Sequence, residues 1–416
     1  MTEPIELPGH VSEQIARVGA RDIALAVLTY NNADTVVGVI EAAVRGAAEH
    51  FRDAKAVLIN ADAGSSDGTR DLFGQLDLPV VTLEHPAPMN ERSAVPFHGV
   101  PGRGTALQAT FAVTQRLGAR VVVLLEADVT SITPEWVARL AGPIWDEKAD
   151  FVSPAYARHR WEGSVTNLLL SPLVRALYGR RLHQPFGGQQ AISARLVEHL
   201  LLHPKWNWSG RDVTDLWIVG AAIADGFSVW EAWLGPRLVR SRTRTSDLPT
   251  MIAQTLGSAF AVMDRHQDLW LEVRGCESLP SIGDPAPPSA EPRAVDTDRM
   301  IESFRLGLRD LTPIWEHILA PETLGDVLSL DTPGLGPFQF PDALWARVIY
   351  DFALGHHYGV VHREHLLRSL VPLYLGRAAA FVLAASAESA AATERRLEAI
   401  GTAFEREKPY LVARWR

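Results

Sequence analysis

The stretch Ile23-Ala24-Leu25-Ala26-Val27-Leu28-Thr29, which runs into the polar turn Tyr30-Asn31-Asn32, decides the fold class. Six apolar residues and a threonine, without the alternation of a half-solvated strand, read as a strand buried on both faces. Strands of that kind belong to parallel sheets covered by helices. The next residues agree, because Asp34 or Thr35 can cap a helix that continues as Val36-Val37-Gly38-Val39-Ile40. The pattern repeats downstream. Ala56 to Ile59 reads as a second strand that empties into the loop Asn60 to Thr69, which feeds a helix, and Pro79 to Leu83 reads as a third. Arg120 to Leu125 is a fourth, bounded by Glu126-Ala127-Asp128, and Phe151 to Pro154 and Val229 to Trp233 add strands near the far edge. The expected fold is α/β, a mostly parallel sheet with helices on both faces.

The C-terminal third changes character. Pro280, Pro285, Pro287, Pro288 and Pro292 crowd a short segment and exclude both helix and central strand there. Beyond it, Phe304, Leu308, Leu311 and Trp315 recur at helical spacing, as do Leu344, Val348 and Phe352. Leu366 to Ile400 gives one or two further helices, and the alanine-rich 378–392 stretch reads as helix. The sequence thus divides into a domain over 1–275, a linker over 276–298 and a helical module over 299–416, with no internal repeat.

Composition narrows the classes of function. With 416 residues, 47% hydrophobic and 21% charged, the chain can bury a large core, so disorder and fibrous architecture are excluded. A formal charge of −9 disfavours a general nucleic-acid binder. The lone Cys276 cannot form an internal disulfide, the acidic, proline-bearing N-terminus has no signal-peptide pattern, and Ala378 to Ala387 is half the ~20 residues needed to span a bilayer. A cytoplasmic protein is expected, without membrane or nucleic-acid partners.

Polar loops at the ends of strands are where an open α/β sheet binds ligands. Thr29-Tyr30-Asn31-Asn32 and Asp62-Ala63-Gly64-Ser65-Ser66-Asp67-Gly68-Thr69 are two such loops; alone, the second reads equally well as a capping turn. Gly102-Arg103-Gly104 sets a guanidinium at a helix start, where phosphate oxygens can be met. Glu126-Ala127-Asp128 follows and offers hard oxygen ligands suited to Mg²⁺ or Mn²⁺.

In this order, these elements resemble the nucleotide-sugar-binding half of GT-A glycosyltransferases. Gln184-Pro185-Phe186-Gly187-Gly188-Gln189 is similar to the Gln-Pro-Leu-Gly-Gly-Glu segment of glucosyl-3-phosphoglycerate and mannosylglycerate synthases. Glu126 to Trp136 and the region around Phe340 to Phe352 resemble mannosylglycerate synthase in particular, and Asp212-Val213-Thr214-Asp215 falls where the family has a short acidic motif. The resemblance, over about 22–375, implies a GT-A-like, mixed and mostly parallel sheet with a C-terminal helical module. It implies a hexosyltransferase that moves mannose or glucose from a nucleotide diphosphate sugar to D-glycerate or 3-phosphoglycerate with retention, making a glycoside of the compatible-solute type.

Carried over residue by residue, the resemblance gives the donor Thr29, Tyr30, Asn31, Asn32, Asp62, Arg103, Glu126 and Asp128. It places a divalent metal, Mg²⁺ or Mn²⁺, on Asp128 and Glu126, and gives the acceptor Gly187, Gly188, Gln189, Asp215 and Arg240. Asp128, Asp215 and Gln189 are the expected catalytic residues, and a homo-oligomer is the expected state.

Two departures stand out. Glu126 replaces the first aspartate of the Asp-X-Asp motif, and Val239 takes the position of a metal-binding histidine, so Arg237, Arg240, Arg242 and Arg244 become candidates to supply cationic charge and relax the metal requirement. His356, His357, His362 and His365 lack the spacing of a zinc site and read as helix-surface and inter-helix packing residues. Of the twelve tryptophans, Trp206 and Trp208, beside Asp212, are the candidates for stacking on a sugar. Two other readings remain open at this stage: an inverting transferase acting on another acceptor with Asp215 as general base, and a nucleotide-sugar-binding protein without catalysis.

Overall fold

The computed structural model describes residues 5–75, 78–85, 100–159, 161–203, 215–240, 248–285, 295–331, 338–386 and 388–416. Ten strands occur among them: β1 (Ile23–Thr29), β2 (Ala56–Asp62), β3 (Val80–Glu84), β4 (Val121–Glu126), β5 (Phe151–Ala157), β6 (Arg180–Arg181), β7 (Gln190–Ser193), β8 (Val229–Pro236), β9 (Glu277–Ser278) and β10 (Ser281–Ile282). Eight of them form one sheet in the order β10-β8-β5-β7-β4-β1-β2-β3, in which β7 alone runs antiparallel to its neighbours. The expected α/β class, a mixed and mostly parallel sheet with a helical C-terminal region, is the one observed.

β1 is buried at all seven positions. Its side chains alternate between faces: Ile23, Leu25 and Val27 join a core cluster with Val36, Val39 and Ile40 of the helix Val36–His50 and with Trp136, Val137 and Leu140 of the helix Pro134–Trp145. Ala24, Ala26 and Leu28 point the other way and are equally buried. A strand covered on both sides has no room for polar alternation, which is why its sequence is an unbroken apolar run.

The chain splits into two compact units that interleave along the sequence. The first comprises 1–157, 184–246 and 279–288, and contains the eight-stranded sheet. The second comprises 158–183, 247–278 and 289–416. This differs from the sequence division at 275 and 298, because the helix Leu248–Arg265 and the segment before β6 share a unit with the C-terminal helices. The expected linker also contributes structure: β9 pairs with β6, β10 pairs with β8, and Pro280 O accepts a hydrogen bond from Glu231 N at 2.9 Å. Proline lacks the donor but keeps its carbonyl, so it is tolerated beside an edge strand.

The second unit is built on long helices, Thr297–Ile318, Asp342–Tyr358, Arg363–Ala385 and Ala390–Val412. The alanine-rich stretch is not one helix, since Ser389 caps a new one by accepting from Ala392 N. Arg363–Ala385 is long and apolar enough to cross a bilayer by length and composition, which corrects the ten-residue estimate, and 67% of its most apolar window is buried. The apolar run extends past Arg377 because that side chain does not meet water. Arg377 is buried within the unit, donating to Phe340 O at 2.6 Å and pairing with Asp342 at 2.5 Å.

One polar knot fastens the ends of three strands in the first unit. Asp150, just before β5, accepts from Ser193 Oγ at 3.0 Å, Ser228 N at 3.1 Å and Arg195 Nε and Nη2 at 3.1 and 2.5 Å. Burial works to raise its pKa, but the bonds from Arg195, Ser228 and Ser193 outweigh it and hold the carboxylate below its ordinary range. A lowered folded-state pKa means that the stabilisation is present above the unfolded value and is lost as pH falls through the folded one. Asp150→Asn is therefore expected to lower unfolding free energy by roughly 1–3 kcal/mol near neutral pH. Denaturant titrations should show the gap to wild type closing as pH falls below about 4.

Candidate active site

In the first unit β1 is followed by β2 and β3 on one side, and the chain then returns to β4 on the other. The strand order thus reverses between β1 and β4, and the crevice outside their carboxyl ends is the ligand position that such a sheet builds. The register brings the predicted loops to that edge together: Leu28 pairs with both Ala61 and Glu126, and Thr29 pairs with Asp62.

The first two loops are stitched to each other. Asp62, fully buried, accepts from Gly64 N and Ser65 N through Oδ1, and from Ser65 Oγ at 2.6 Å through Oδ2. Thr29 Oγ1 lies 2.9 Å from Oδ2 and 2.8 Å from Asn60 Oδ1, sharing one proton between them. Asn31, at φ 55°, donates its N–H to Ser65 Oγ and accepts from Ser66 N, while Asn32 N donates to Thr69 Oγ1. Thr29 and Asp62 therefore shape the edge from inside, and the half-buried Tyr30 and Asn31 border the crevice. The loop after β2 ends in a 3₁₀ turn, Thr69–Gln75, instead of the expected helix.

Glu126, the last residue of β4, is buried and heavily partnered. Its Oε2 accepts from Gln189 Nε2 at 2.8 Å and from Arg237 Nη2 at 2.5 Å. Tyr156 OH donates to Gln189 Oε1, and the Arg237 guanidinium lies 5.8 Å from the Tyr156 ring centre. Burial alone would lower the pKa of Arg237; the charge of Glu126, with Tyr156 and Asp128 behind it, reverses this and raises it, so the cation is permanent. A Cβ on Gly188 would fall 2.0 Å from Glu126 Oε1, and one on Gly187 would fall 2.3 Å from the ring of Pro154. These glycines thus admit the protein's own side chains to close approach, a role that the resemblance assigned to a ligand.

Gln189 and Gln190 lead into β7 with side chains on opposite faces. Gln189 reaches Glu126, whereas Gln190 Nε2 donates to Asp215 Oδ1 at 3.0 Å. Asp215, fully buried, also accepts from Arg103 Nη2 at 2.8 Å and Nε at 3.3 Å. Arg103 opens the helix Arg103–Arg116 after Gly102, whose φ of 64° suits glycine. The two residues that sequence reasoning assigned to donor and acceptor are thus one ion pair.

Asp128, half-buried, sits in a turn laced to the end of β8. Its carbonyl accepts from Arg240 N at 3.0 Å, Val129 and Val239 form a bridge, and Thr130 N donates to Leu238 O at 2.8 Å. Val239 therefore does stand beside the Asp128 turn, 40% exposed, with no side-chain atom able to ligate a metal. Arg240 is exposed and pairs with Asp34 at 2.9 Å. Arg242, Arg244, Trp206, Trp208 and Asp212 lie outside the described residues. In the second unit, His357 Nδ1 donates to Asp264 Oδ1 at 2.7 Å and its ring stacks on Trp415, an inter-helix packing role, whereas His362 and His365 are exposed on the helix surface.

Tyr156, Gln190 and Ser65 belong to these networks and were not singled out from the sequence. Gln190 was within reach of the period-2 rule once Gln189 was named, and Ser65 lies in the polar loop Asp62 to Thr69; Tyr156 carries no signal short of the fold.

No family model matches the chain, and no curated protein matches it. Solved structures do. Glucosyl-3-phosphoglycerate synthase from Mycobacterium tuberculosis with phosphoglyceric acid is 23% identical, with 63% of this chain and 86% of that one covered, at a TM-score of 0.44. The same enzyme with Mn²⁺, UDP-glucose and phosphoglyceric acid is 22% identical over the same shares, at 0.43. Its complex with Mg²⁺ and UDP is 21% identical, again with 63% and 86% covered, at 0.44.

The Arg103–Asp215 pair makes a prediction that separates structure from ligand binding. Removing one partner of a buried pair leaves an uncompensated charge, so Arg103→Ala is expected to cost roughly 3–5 kcal/mol of stability. Arg103→Ala/Asp215→Asn should recover a large part of it. A double-mutant cycle by denaturant unfolding measures the coupling directly.

Proposed function

We propose that the chain transfers a hexosyl group, glucose or mannose, from a nucleotide diphosphate sugar to D-glycerate or 3-phosphoglycerate, with retention. The observation that carries this reading is the crevice at the β1–β4 reversal, bordered by Tyr30, Asn31 and Asp128, with the Glu126–Arg237 pair behind it. Strand-end turns there can hold a nucleotide, and the sequence motifs lying on those turns are the ones that resemble GT-A enzymes.

The residues have distinct tasks in this reading. Tyr30 and Asn31 border the base and ribose, Thr29 and Asp62 hold the loop in shape, and Arg237 faces the diphosphate with a fixed positive charge. Arg240 meets either the diphosphate or the acceptor's carboxylate or phosphate. Gln189 is a positioning residue that fixes Glu126 and Tyr156. Asp128 and diphosphate oxygens form a donor set suited to Mg²⁺ or Mn²⁺. Glu126 fits poorly as a second ligand because its Oε2 already accepts from Arg237 and Gln189. When bound, the ion neutralises charge on the leaving diphosphate.

The sugar's bond to the diphosphate breaks while the acceptor oxygen bonds to the same carbon from the same face, and the acceptor's hydroxyl proton passes to the departing diphosphate. The protein contributes position and electrostatics. Glu126 takes up much of the Arg237 charge, so the exposed Arg240 beside the Asp128 turn is the cation that shares the metal's task.

The test is nucleotide release from a panel of sugar nucleotides offered with D-glycerate or 3-phosphoglycerate, with and without Mg²⁺ or Mn²⁺. Acceptor-dependent release is expected, with residual turnover in EDTA and loss of turnover in a folded Asp128→Ala. Arg240→Ala is expected to make activity more metal-dependent, or to raise the acceptor KM at little changed kcat if it grips the acceptor. Binding of a sugar nucleotide without release by any acceptor would favour a binding protein, and no binding at all would overturn the reading. Complete loss in EDTA, with Arg240→Ala behaving as wild type, would overturn the fixed-cation part alone.

A further inference from the structure

Apart from the β1–β4 crevice, His199, His203 and Asp225 gather on the first unit. His199 lies in the helix Ala194–Leu202 and His203 follows its last turn, four residues on, so both project from one side. Asp225 comes from the turn after the helix Asp215–Ala224. Both imidazoles present Nε2 to the same carboxylate oxygen: His199 Nε2 is 2.8 Å and His203 Nε2 3.7 Å from Asp225 Oδ2. The three ligand atoms lie within 4.8 Å of one another, and the two rings meet edge to face at 5.4 Å.

We propose that His199, His203 and Asp225 form a binding site for a divalent transition ion of the zinc class. Ligands about 2.0–2.2 Å from a tetrahedral metal stand roughly 3.3–3.5 Å apart, a spacing that the observed 2.8 and 3.7 Å bracket. Two imidazoles with one carboxylate suit Zn²⁺, Ni²⁺ or Cu²⁺ and do not suit Mg²⁺, which takes oxygen ligands. The side chains of His199 and Asp225 are 35% and 32% exposed, so an ion has a path in and a fourth position open to water. Phe227, 5.0 Å from the His199 ring, gives one side of the site an apolar wall. The bound ion would tie the end of one helix to the turn that launches β8. The proposal does not depend on what the crevice at β1 and β4 binds.

The test uses the full chain, freed of metal by a chelator and titrated with Zn²⁺ against a chromophoric competitor. The expected result is one Zn²⁺ per chain that His199→Ala, His203→Ala and Asp225→Asn each weaken at least tenfold. Equal Mg²⁺ should not displace it, and Zn²⁺ should raise the melting temperature of the wild type but not of His199→Ala/His203→Ala. Asp225→Asn keeps the shape of the site, so its result stands if a histidine variant fails to fold. Zn²⁺ binding that is unchanged in all three variants, or lost in Asp128→Ala, would overturn the proposal, as would no Zn²⁺ bound. The first and last would leave an ordinary histidine–aspartate ion pair.

Discussion

A buried carboxylate must be partnered or neutralised, and Glu126 sets that requirement at the end of β4. Its solution draws in separate pieces of chain. Arg237 arrives from just beyond β8, Gln189 from the entry to β7, and Gly188 leaves the space that any side chain would fill. Tyr156 then fixes Gln189. The antiparallel β7 places the Gln184–Gln189 segment where it can serve β4, and the extension of β8 to Pro236 delivers Arg237.

The same sheet solves a second charge problem on the other side of β7. Asp215 begins a helix and is buried; Arg103 begins another, and the two helix starts meet through the ion pair that Gln190 completes. Both clusters are polar networks in a low-dielectric setting, where a satisfied set is rigid and a broken one is costly. The ends of β1 and β4 are therefore preorganised by Glu126, Gln189, Gln190 and Asp215, which are themselves buried, while Arg237 keeps 22% of its side chain exposed.

The sequence was most legible where burial was most complete. β1 was read to its observed ends because a strand covered on both faces leaves only apolar residues. β7 was missed: four residues with two glutamines around its start show neither alternation nor an apolar run, although Ser193 and the leucine-rich stretch after it mark the helix that follows. The strand-end motifs were found, but their partners were not, because Glu126–Arg237 and Arg103–Asp215 span more than a hundred residues and depend on strand order. His199 and His203 have the four-residue spacing that metal sites use, and three leucines between them make the helix read as core.

The interleaving of the two units bears on the order of events during synthesis. Arg175, buried in the second unit, pairs with Glu398 and with Glu405, which lies 230 residues later in the chain. At ~5–20 residues per second, that separation is a wait of roughly 10–50 s between the ribosome's release of one partner and the other. Once β10 has emerged, all eight strands of the sheet are made, while the helix Ser171–Tyr178 of the inserted segment 158–183 still lacks the helix Ala390–Val412 against which it packs. The first unit can therefore mature as a folded body carrying an unfinished insertion, which the helix Ala390–Val412 later covers within the second unit.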